Sequence, residues 1–387
     1  MRIRDINEFL NISIDEINRN VAEYFQRNFN ENFPIILYGA GNIGKDVLKR
    51  LQSIGINVAG FLDDTPSKRY SSFNGVNILN QQDMYDKYKN KVNLVVCILN
   101  TNHLCSKTIK FFEEKFNIKA ISFYGFSWKY PEAFSDMHGL MHPSVFIQNK
   151  NEIMCVYESL EDEKSKIEYL NQLSFRLNLD FDLLTFKQEN SYFPLDLDLG
   201  LSNELVFIDA GAFDGDTLME LRRIKPEIKI LKYIGIEPDR QNFKKLSNLI
   251  NSLNLEKKSF LFEKGLGAIS GNVRFNSSGD MNASVDKDGN TEISLISLSE
   301  IYEKCIQGSD SVYIKFDIEG FESNVINASL ELIRANKPSM AISIYHKYDD
   351  FWNIALSIKK LNIGYRLYMR NHGIDATDFI LYAIPKK

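Results

Sequence analysis

The hydrophobic and polar positions predict two stretches in which short apolar strands alternate with amphipathic helices. In the first stretch the pattern predicts strands at 35–38, 58–62, 94–99 and 119–123. In the second it predicts strands at 205–208, 233–236, 259–263, 312–316 and 340–344. Strands and helices that alternate at this spacing are typical of parallel sheets with right-handed crossovers.

The end of the chain departs from this alternation. Two further strand candidates, 365–369 and 379–384, follow one another and predict an antiparallel pair. Residues 126–200 carry no alternating strand pattern, although 162–176 have helical periodicity. We therefore predict an α/β protein with two Rossmann-like, doubly wound parallel-sheet domains. A helical connector joins them, and the C-terminal domain ends in an antiparallel hairpin.

These elements predict the domain boundaries, since 387 residues are enough for two cores. In chain order we expect an N-terminal helical segment at 1–30, a small Rossmann-like domain at 31–125, the helical connector at 126–200 and a larger α/β domain at 201–387. Within 4–28, apolar residues recur every three or four positions, which predicts an amphipathic helix or helix pair. Its apolar face could be buried by docking within the chain or in a homo-oligomer.

Composition and charge limit the classes of function. The chain has 46 Lys and Arg against 51 Asp and Glu, a formal net charge of -5. Nucleic-acid binding is therefore disfavoured, because a polyanion needs a basic surface. The four cysteines lack CxxC spacing, and no apolar run reaches the roughly 18 residues of a membrane span. We expect reduced thiols, no membrane span and a cytoplasmic location.

The first strand of the second stretch leads into a candidate cofactor-binding run, Asp209-Ala-Gly-Ala-Phe-Asp-Gly-Asp-Thr217. Gly211 and Gly215 allow the backbone to turn tightly and to approach a ligand before the next helix. The alternative to cofactor binding is a purely structural role, in which the run forms a strand, a turn and a helix that Asp or Thr caps. The next strand favours binding, since it ends in Glu237-Pro-Asp239. A carboxylate there can accept from both hydroxyls of a nucleoside ribose.

Candidate catalytic residues follow two later strands. Asp317 and Glu319 follow the strand at 312–316, and His346 follows the strand at 340–344. We expect these side chains to lie close together, because the carboxyl ends of parallel strands meet at one edge of a sheet. They could bind a divalent metal through Asp317 and His346, orient a substrate hydroxyl or take its proton. A purely structural histidine is the alternative.

These runs together resemble the FkbM family of methyltransferases. The resemblance covers about 190–387 and rests on motifs that occur in order, namely Tyr192-Phe193, Phe207–Thr217, Gly235–Asp239, Ile314–Glu322 and Ser343–Lys347. It implies a methyltransferase domain at 201–387, S-adenosylmethionine as the donor, and O-methylation of sugars, glycans or small natural products. The stretch Ile296-Ser-Leu-Ser299 departs from the family, whose members often carry Leu-Asp there.

The motifs and the resemblance together suggest a role for each residue. The expected donor-binding residues are Asp209, Gly211, Asp214, Gly215, Asp216, Thr217, Glu237 and Asp239. The loop at 279–284 falls where the family has a small polar turn, which adds Asn282 and Ser284 as contacts at the edge of the cofactor or the substrate. Asp317, Glu319 and His346 are the expected catalytic residues, with Asp317 or His346 assisting deprotonation of the acceptor.

A second glycine motif lies in the first stretch. The run Gly39-Ala-Gly-Asn-Ile-Gly44 follows a strand, opens a helix and has Asp63 about twenty residues later, a pattern typical of dinucleotide-binding domains. The candidate contacts of this nucleotide site are Gly39, Gly41, Asn42, Ile43, Gly44 and Asp63. The stretch Gly60–Asp64 resembles small Rossmann-like domains fused to sugar-modifying enzymes. Three alternatives remain open for the ligand of this site, namely a nucleotide-sugar, NAD or no ligand at all.

We therefore predict an S-adenosylmethionine-dependent O-methyltransferase that acts on a hydroxyl of a sugar, glycan or related small molecule. One alternative is an NAD-dependent sugar oxidoreductase or epimerase that uses the glycine motif between 39 and 63. Another is a non-catalytic protein that keeps the donor pocket as a sensor. The acceptor cannot be predicted from the sequence, because substrate pockets in this fold are built from variable loops.

Overall fold

The computed structural model describes residues 2–68, 71–100, 103–134, 139–184, 191–276, 284–285, 291–306 and 311–386. The chain forms two compact units. The N-terminal unit comprises Met1–Lys150, Leu170–Phe186 and Gly373–Ala376. The C-terminal unit comprises Asn151–Tyr169, Lys187–His372 and Thr377–Lys387. Parts of the stretch predicted as a helical connector, 126–200, belong to each unit, and the predicted domain boundaries stay a prediction.

The N-terminal unit contains the first βαβ stretch. Its helices are α1 (Ile6–Asn11), α2 (Ile14–Asn28), α3 (Asn42–Ser53), α4 (Gln81–Tyr88), α5 (Cys105–Phe116), α6 (Gly125–Lys129), α7 (Pro131–Phe134) and α8 (Ser144–Gln148). Its strands are β1 (Ile35–Tyr38), β2 (Val58–Leu62), β3 (Ser72–Phe73), β4 (Val76–Leu79), β5 (Asn93–Val96) and β6 (Ala120–Ser122).

These strands form one sheet in the order β3-β4-β2-β1-β5-β6. All neighbours are parallel except β3 and β4, which pair antiparallel. The sequence pattern predicted four of the six strands and missed β3 and β4. With two and four residues, these strands are too short to show a clear hydrophobic alternation.

The amphipathic N-terminal segment is a pair of helices rather than one. Asp5 caps α1 by accepting hydrogen bonds from the backbone of its first turn, and Ser13 caps α2 in the same way. The apolar faces of both helices are buried, and Tyr24 of α2 packs edge-on against Trp128 of α6 at a ring distance of 5.4 Å. The apolar faces of α1 and α2 are therefore covered by packing within the N-terminal unit.

The C-terminal unit contains the second βαβ stretch. Its strands are β7 (Glu204–Ala210), β8 (Lys229–Ile236), β9 (Ser259–Phe262), β10 (Gly265–Gly267), β11 (Gly271–Asn276), β12 (Ser284–Val285), β13 (Thr291–Ser297), β14 (Val312–Phe316), β15 (Ser339–Ser343), β16 (Tyr365–Asn371) and β17 (Phe379–Pro385). The helices that follow α8 are α9 (Lys150–Ser159), α10 (Glu163–Asn178), α11 (Asp216–Ile224), α12 (Arg240–Ser252), α13 (Leu298–Cys305), α14 (Glu322–Ala328), α15 (Leu330–Asn336) and α16 (Asp350–Lys360).

The main sheet of this unit has the order β16-β17-β15-β14-β7-β8-β9. The strands from β15 to β9 are parallel, and β17 is antiparallel to both of its neighbours. The predicted parallel sheet and terminal hairpin are therefore confirmed. Strands β14 and β15 are buried along their whole length, as expected for parallel strands covered on both faces.

The strand order decides which side chains can meet. Strand β7 lies between β14 and β8, so the segments that follow these three strands emerge side by side at one edge of the sheet. The register places Asp209 opposite Lys315 of β14 and opposite Gly235 of β8. Among the described helices, none combines the length and the apolarity that crossing a bilayer requires.

Candidate active site

Asp209 is the centre of the first cluster, at the end of β7. Its carboxylate is fully buried, and Oδ2 accepts a 2.9 Å hydrogen bond from the hydroxyl of Tyr233. Oδ1 lies 3.4 Å from Nζ of Lys315 and has no hydrogen bond of ordinary length. Burial raises the pKa of Asp209 to about 6, even though Lys315 favours the charged form.

The two glycines after β7 are required by the protein's own packing. Gly211 has a φ of +77°, and a Cβ there would lie 1.8 Å from the carbonyl oxygen of Asp317. Gly215 has a φ of +91°, and its Cβ would lie 2.4 Å from a methyl carbon of Leu249. The sequence pattern predicted the tight turn at these positions. Within the chain, the close approach at these positions is to the carbonyl of Asp317 and the side chain of Leu249, and the approach to a ligand stays a prediction.

Glu237 links the loop after β7 to the end of β8. Its Oε2 accepts a 2.9 Å hydrogen bond from the backbone of Phe213, and its Oε1 accepts one of 2.9 Å from the backbone of Asp239. The side chain is buried, and this burial raises its pKa to about 7 against the opposing effect of the two N–H donors. Each carboxylate oxygen keeps a further lone pair for a ligand.

The remaining predicted donor-binding residues differ in position. Asp239 is the N-cap of α12, where its Oδ1 accepts from the backbone of Gln241 and Asn242, so its structural role is capping. Asp216 is exposed at the start of α11 and accepts a 2.7 Å hydrogen bond from the backbone of buried Thr217, while Asp214 is half-buried. Asn282 lies outside the described residues, and Ser284 is described only as the first residue of β12.

A row of alternating charges crosses the edge of the sheet from β7 to β15. Lys315 Nζ lies 3.4 Å from Asp209 Oδ1 and 3.9 Å from Asp317 Oδ2, and it also donates to the carbonyl of Gly211. Asp317 Oδ1 lies 3.5 Å from Nε2 of His346. Burial opposes the ionisation of Asp317, but Lys315 and His346 outweigh it and lower its pKa.

His346 lies among three carboxylates. Its Nε2 is 3.4 Å from Oε2 of Glu319, and its Nδ1 is 2.9 Å from Oε1 of Glu322. Although burial alone would lower it, the pKa of His346 is raised to about 10, chiefly by Glu322. Burial raises the pKa of Glu319 to about 7. The structure thus brings together the three predicted catalytic residues Asp317, Glu319 and His346.

Sequence reasoning missed four residues of this cluster. Lys315 and Glu322 are buried in the run that carries Asp317, and that position in the motif was the available signal. Tyr345 donates a 3.2 Å hydrogen bond to Asp317 Oδ1. Tyr192 faces Nζ of Lys315 with its ring, 5.1 Å away. Both tyrosines lie in runs that carry the family resemblance, Tyr192-Phe193 and Ser343–Lys347, but the sequence predicted no role for either.

The cluster also has the donor set for a cation. Asp317, Glu322 and His346 each offer one ligand atom, and these atoms lie within 4.8 Å of one another. Two carboxylates and one imidazole suit a divalent metal. A metal on His346 would have to displace the proton that Glu322 stabilises. The metal predicted for Asp317 and His346 stays a prediction.

The N-terminal glycine motif has the predicted turn, but its acidic residue is engaged within the protein. Gly39 has a φ of +105°, and a Cβ on Gly44 would lie 1.9 Å from the carbonyl oxygen of Gly39, so the loop packs tightly on α3. Asp63 Oδ2 accepts from the backbone of Ala40 and from Lys68, both at 2.8 Å. Its Oδ1 accepts from the backbone of Thr65, so Asp63 holds the loop. The nucleotide site at this motif stays a prediction.

Comparison with known proteins relates this arrangement to a family. Residues 209–375 match the family model described as the methyltransferase FkbM domain. The methyltransferase FkbM from Methylobacillus flagellatus KT has a similar solved structure, with a TM-score of 0.71 and 20% identity over 94% of this chain and 93% of that chain. A SAM-dependent methyltransferase from Aquifex aeolicus matches with a TM-score of 0.26 and 14% identity, over 58% of this chain and 98% of that chain. No curated protein matches the chain at the significance required.

The family match confirms, for residues 209–375, the resemblance found in the sequence. The likeness to the Methylobacillus protein shows a shared fold. The family match supports a methyltransferase.

Proposed function

We propose that the chain, whose residues 209–375 match the methyltransferase FkbM domain, transfers a methyl group from S-adenosylmethionine to a hydroxyl oxygen of a sugar, glycan or related small molecule. One observation carries the proposal, namely the convergence of two sets of acidic side chains on one sheet edge. Glu237 follows β8 on one side of the glycine loop after β7, and Asp317 and Glu319 follow β14 on the other side.

The residues around the glycine loop fit the donor. Glu237 is held by two backbone N–H groups, which leaves lone pairs for the ribose hydroxyls. Asp209 Oδ1 is buried without a hydrogen-bond partner of ordinary length and suits the ammonium group. Gly215 is the N-cap of α11 and provides no side-chain cap, so the first-turn N–H groups other than that of Thr217, which donates to Asp216, suit the carboxylate of the donor.

The residues after β14 and β15 fit an acceptor hydroxyl. Asp317 is held ionised by Lys315 and His346, and Glu319 has a pKa of about 7, which suits a general base near neutral pH. His346, with a pKa of about 10, carries its proton at neutral pH. We therefore assign His346 the role of a hydrogen-bond donor, and Asp317 or Glu319 the role of proton acceptor.

When bound, S-adenosylmethionine supplies an electrophilic methyl group on a sulfonium sulfur. The residues of the chain then have three tasks. Glu237 and Asp209 bind the donor, His346 orients the hydroxyl, and a carboxylate after β14 receives the hydroxyl proton. Most of the rate enhancement would come from positioning the two reactants.

A calorimetric titration with S-adenosylhomocysteine tests the donor site. We expect saturable binding to the wild type and none to the double variant Asp209→Ala, Glu237→Ala. A parallel titration with NAD tests the oxidoreductase alternative. Binding of NAD alone would overturn the proposal and move the active centre to the N-terminal glycine motif.

Incubation with the donor and a panel of methyl glycosides tests the transfer itself, with formation of S-adenosylhomocysteine and of an O-methyl product as the readout. Binding without transfer to any glycoside would contradict a glycan acceptor and favour the sensor alternative.

The same assay with EDTA tests the predicted metal. If EDTA abolishes methyl transfer and added Mg²⁺ or Mn²⁺ restores it, the predicted metal site is supported. If the rate of transfer is unchanged by EDTA, the metal is ruled out.

A further inference from the structure

The N-terminal unit contains a cavity at the carboxyl edge of its sheet. The cavity has a volume of about 360 Å³, and every residue that lines it belongs to this unit. Ile98 and Leu99, which come shortly after β5, form part of its wall, and Ser106 in the first turn of α5 forms another part. Ligand pockets in proteins range from about 300 to 1,000 Å³, so the cavity has room for one small molecule.

The cavity lies where doubly wound sheets bind their ligands. In the order β3-β4-β2-β1-β5-β6, the chain first continues on one side of β1 and later returns to the other side with β5. Open α/β sheets bind ligands outside the carboxyl ends of the strands at the point where the order reverses. Gly39 follows β1, and a Cβ on it would lie 2.6 Å from Cγ1 of Ile98, so the loops after β1 and β5 touch beside the cavity.

Phe181 gives the cavity an aromatic wall that is held in place. Its half-buried ring stacks on Tyr124 at a centroid distance of 6.1 Å and meets Phe175 edge-on at 5.0 Å. Because the ring is already fixed, a ligand that stacks on it pays little for ordering it. The other large apolar residues of the lining are Ile98, Leu99, Leu104, Leu184 and Ile374. A flat aromatic ring suits such a wall.

The charged groups of the cavity are acidic. Asp375 lines it and is only 1% exposed, and the exposed Asp182 lines it as well. Burial raises the pKa of Cys105 in the lining to about 12, and the negative charge of Asp375 adds to this effect. None of the described lining residues is a lysine or an arginine, and Arg176 donates to the carbonyl of Ala376 outside the lining. The cavity therefore disfavours a phosphate and suits an N–H donor.

We propose that this cavity binds a phosphate-free heteroaromatic base, whose ring stacks on Phe181 and whose amine donates to the carboxylate of Asp375. A nucleoside that carries an exocyclic amine has both features. The site differs from the nucleotide site predicted at the glycine motif, since none of the candidate contacts between Gly39 and Asp63 lines the cavity. Binding here is also independent of methyl transfer, because the residues assigned to that reaction belong to the C-terminal unit.

Calorimetric titration with three probes tests the chemistry of the ligand. We expect saturable binding of adenosine to the wild type. AMP differs from adenosine only by its phosphate, and purine riboside lacks only the amine. Both should bind at least about tenfold more weakly, AMP through repulsion by the two carboxylates and purine riboside through loss of a hydrogen bond to a charged acceptor.

Variants test the place of binding. Ser106→Phe puts a ring into the cavity and should abolish adenosine binding, whereas the control Lys107→Phe changes an exposed neighbour outside the lining and should bind like the wild type. Asp375→Asn should weaken adenosine binding about tenfold. The double variant Asp209→Ala, Glu237→Ala should bind adenosine like the wild type, since both residues lie in the other unit. Thermal unfolding of each variant is measured first.

Four outcomes would overturn the inference. The wild type might be titrated with adenosine and show no saturable binding. Equal affinities of the wild type and folded Ser106→Phe, or loss of binding in the double variant, would place adenosine outside the cavity. AMP that binds as tightly as adenosine would contradict the exclusion of phosphate. If Ser106→Phe does not fold, unchanged adenosine affinity in a folded Asp375→Asn variant would remove the proposed contact with the carboxylate.

Discussion

Gly211 packs so closely on Asp317 that a Cβ at Gly211 would lie 1.8 Å from the carbonyl oxygen of Asp317. The loop that we assign to the donor therefore touches the backbone of the residue that we assign to the acceptor. Because β7 and β14 are neighbours, we expect a change in one loop to displace the other.

Replacement of Gly211 by alanine should destabilise the C-terminal unit. Its φ of +77° alone makes a Cβ cost about 1–3 kcal/mol, and the collision with a backbone atom adds to this cost. Urea unfolding followed by tryptophan fluorescence measures the loss. The control is Gly41→Ala, since a Cβ there meets nothing within 4 Å. Equal stabilities of the two variants would contradict the packing argument.

Asp317→Asn should bind the donor and lose turnover. An amide of the same shape cannot receive the hydroxyl proton, and loss of a general base costs about 10²–10⁴ in rate. Calorimetry with S-adenosylhomocysteine and a methyl-transfer assay measure the two effects separately. Glu319→Gln in parallel identifies which carboxylate takes the proton. Full activity of both variants would remove these residues from the mechanism.

Binding of S-adenosylhomocysteine should weaken as the pH falls from 8 to 6. Burial raises the pKa of Glu237 to about 7, so its carboxylate is mostly charged at pH 8 and mostly protonated at pH 6. The charged form is the better acceptor for ribose hydroxyls, so linkage predicts affinity that is roughly tenfold lower at pH 6. Calorimetry at both pH values tests this. Glu237→Gln should bind weakly and with a much smaller pH dependence; an unchanged slope would assign the titration to another group.

Lys315→Met should be strongly destabilising. The lysine is buried between the carboxylates of Asp209 and Asp317, and removing one partner of a buried ion pair costs about 3–5 kcal/mol. The control is Lys229→Met, which breaks the exposed pair with Glu204 and should cost less than about 1 kcal/mol. Chemical denaturation compares the two variants, and similar losses would show that Lys315 is not a buried cation in solution.

The sequence alone determined the architecture and the carboxylates at the ends of the strands. Apolar runs and the acidic residues that end them are local features, so Asp209, Glu237 and Asp317 could be predicted from strand patterns and from the rule that parallel strands end at one edge. The terminal hairpin could be predicted for the same reason. Strands β3 and β4 could not be predicted, because strands of two and four residues are too short to show a hydrophobic alternation.

The tertiary structure alone decided what each of these groups contacts. Glu322 meets His346 because β14 and β15 are neighbours in the sheet. Lys315 lies between Asp209 and Asp317 because β14 also pairs with β7, which lies far earlier in the chain. The pairing of β7 with β14 also brings Gly211 against the carbonyl of Asp317, so that no side chain fits at position 211. Hydrogen-bond partners and the pKa values of buried groups depend on such long-range contacts, and no local pattern of residues records them.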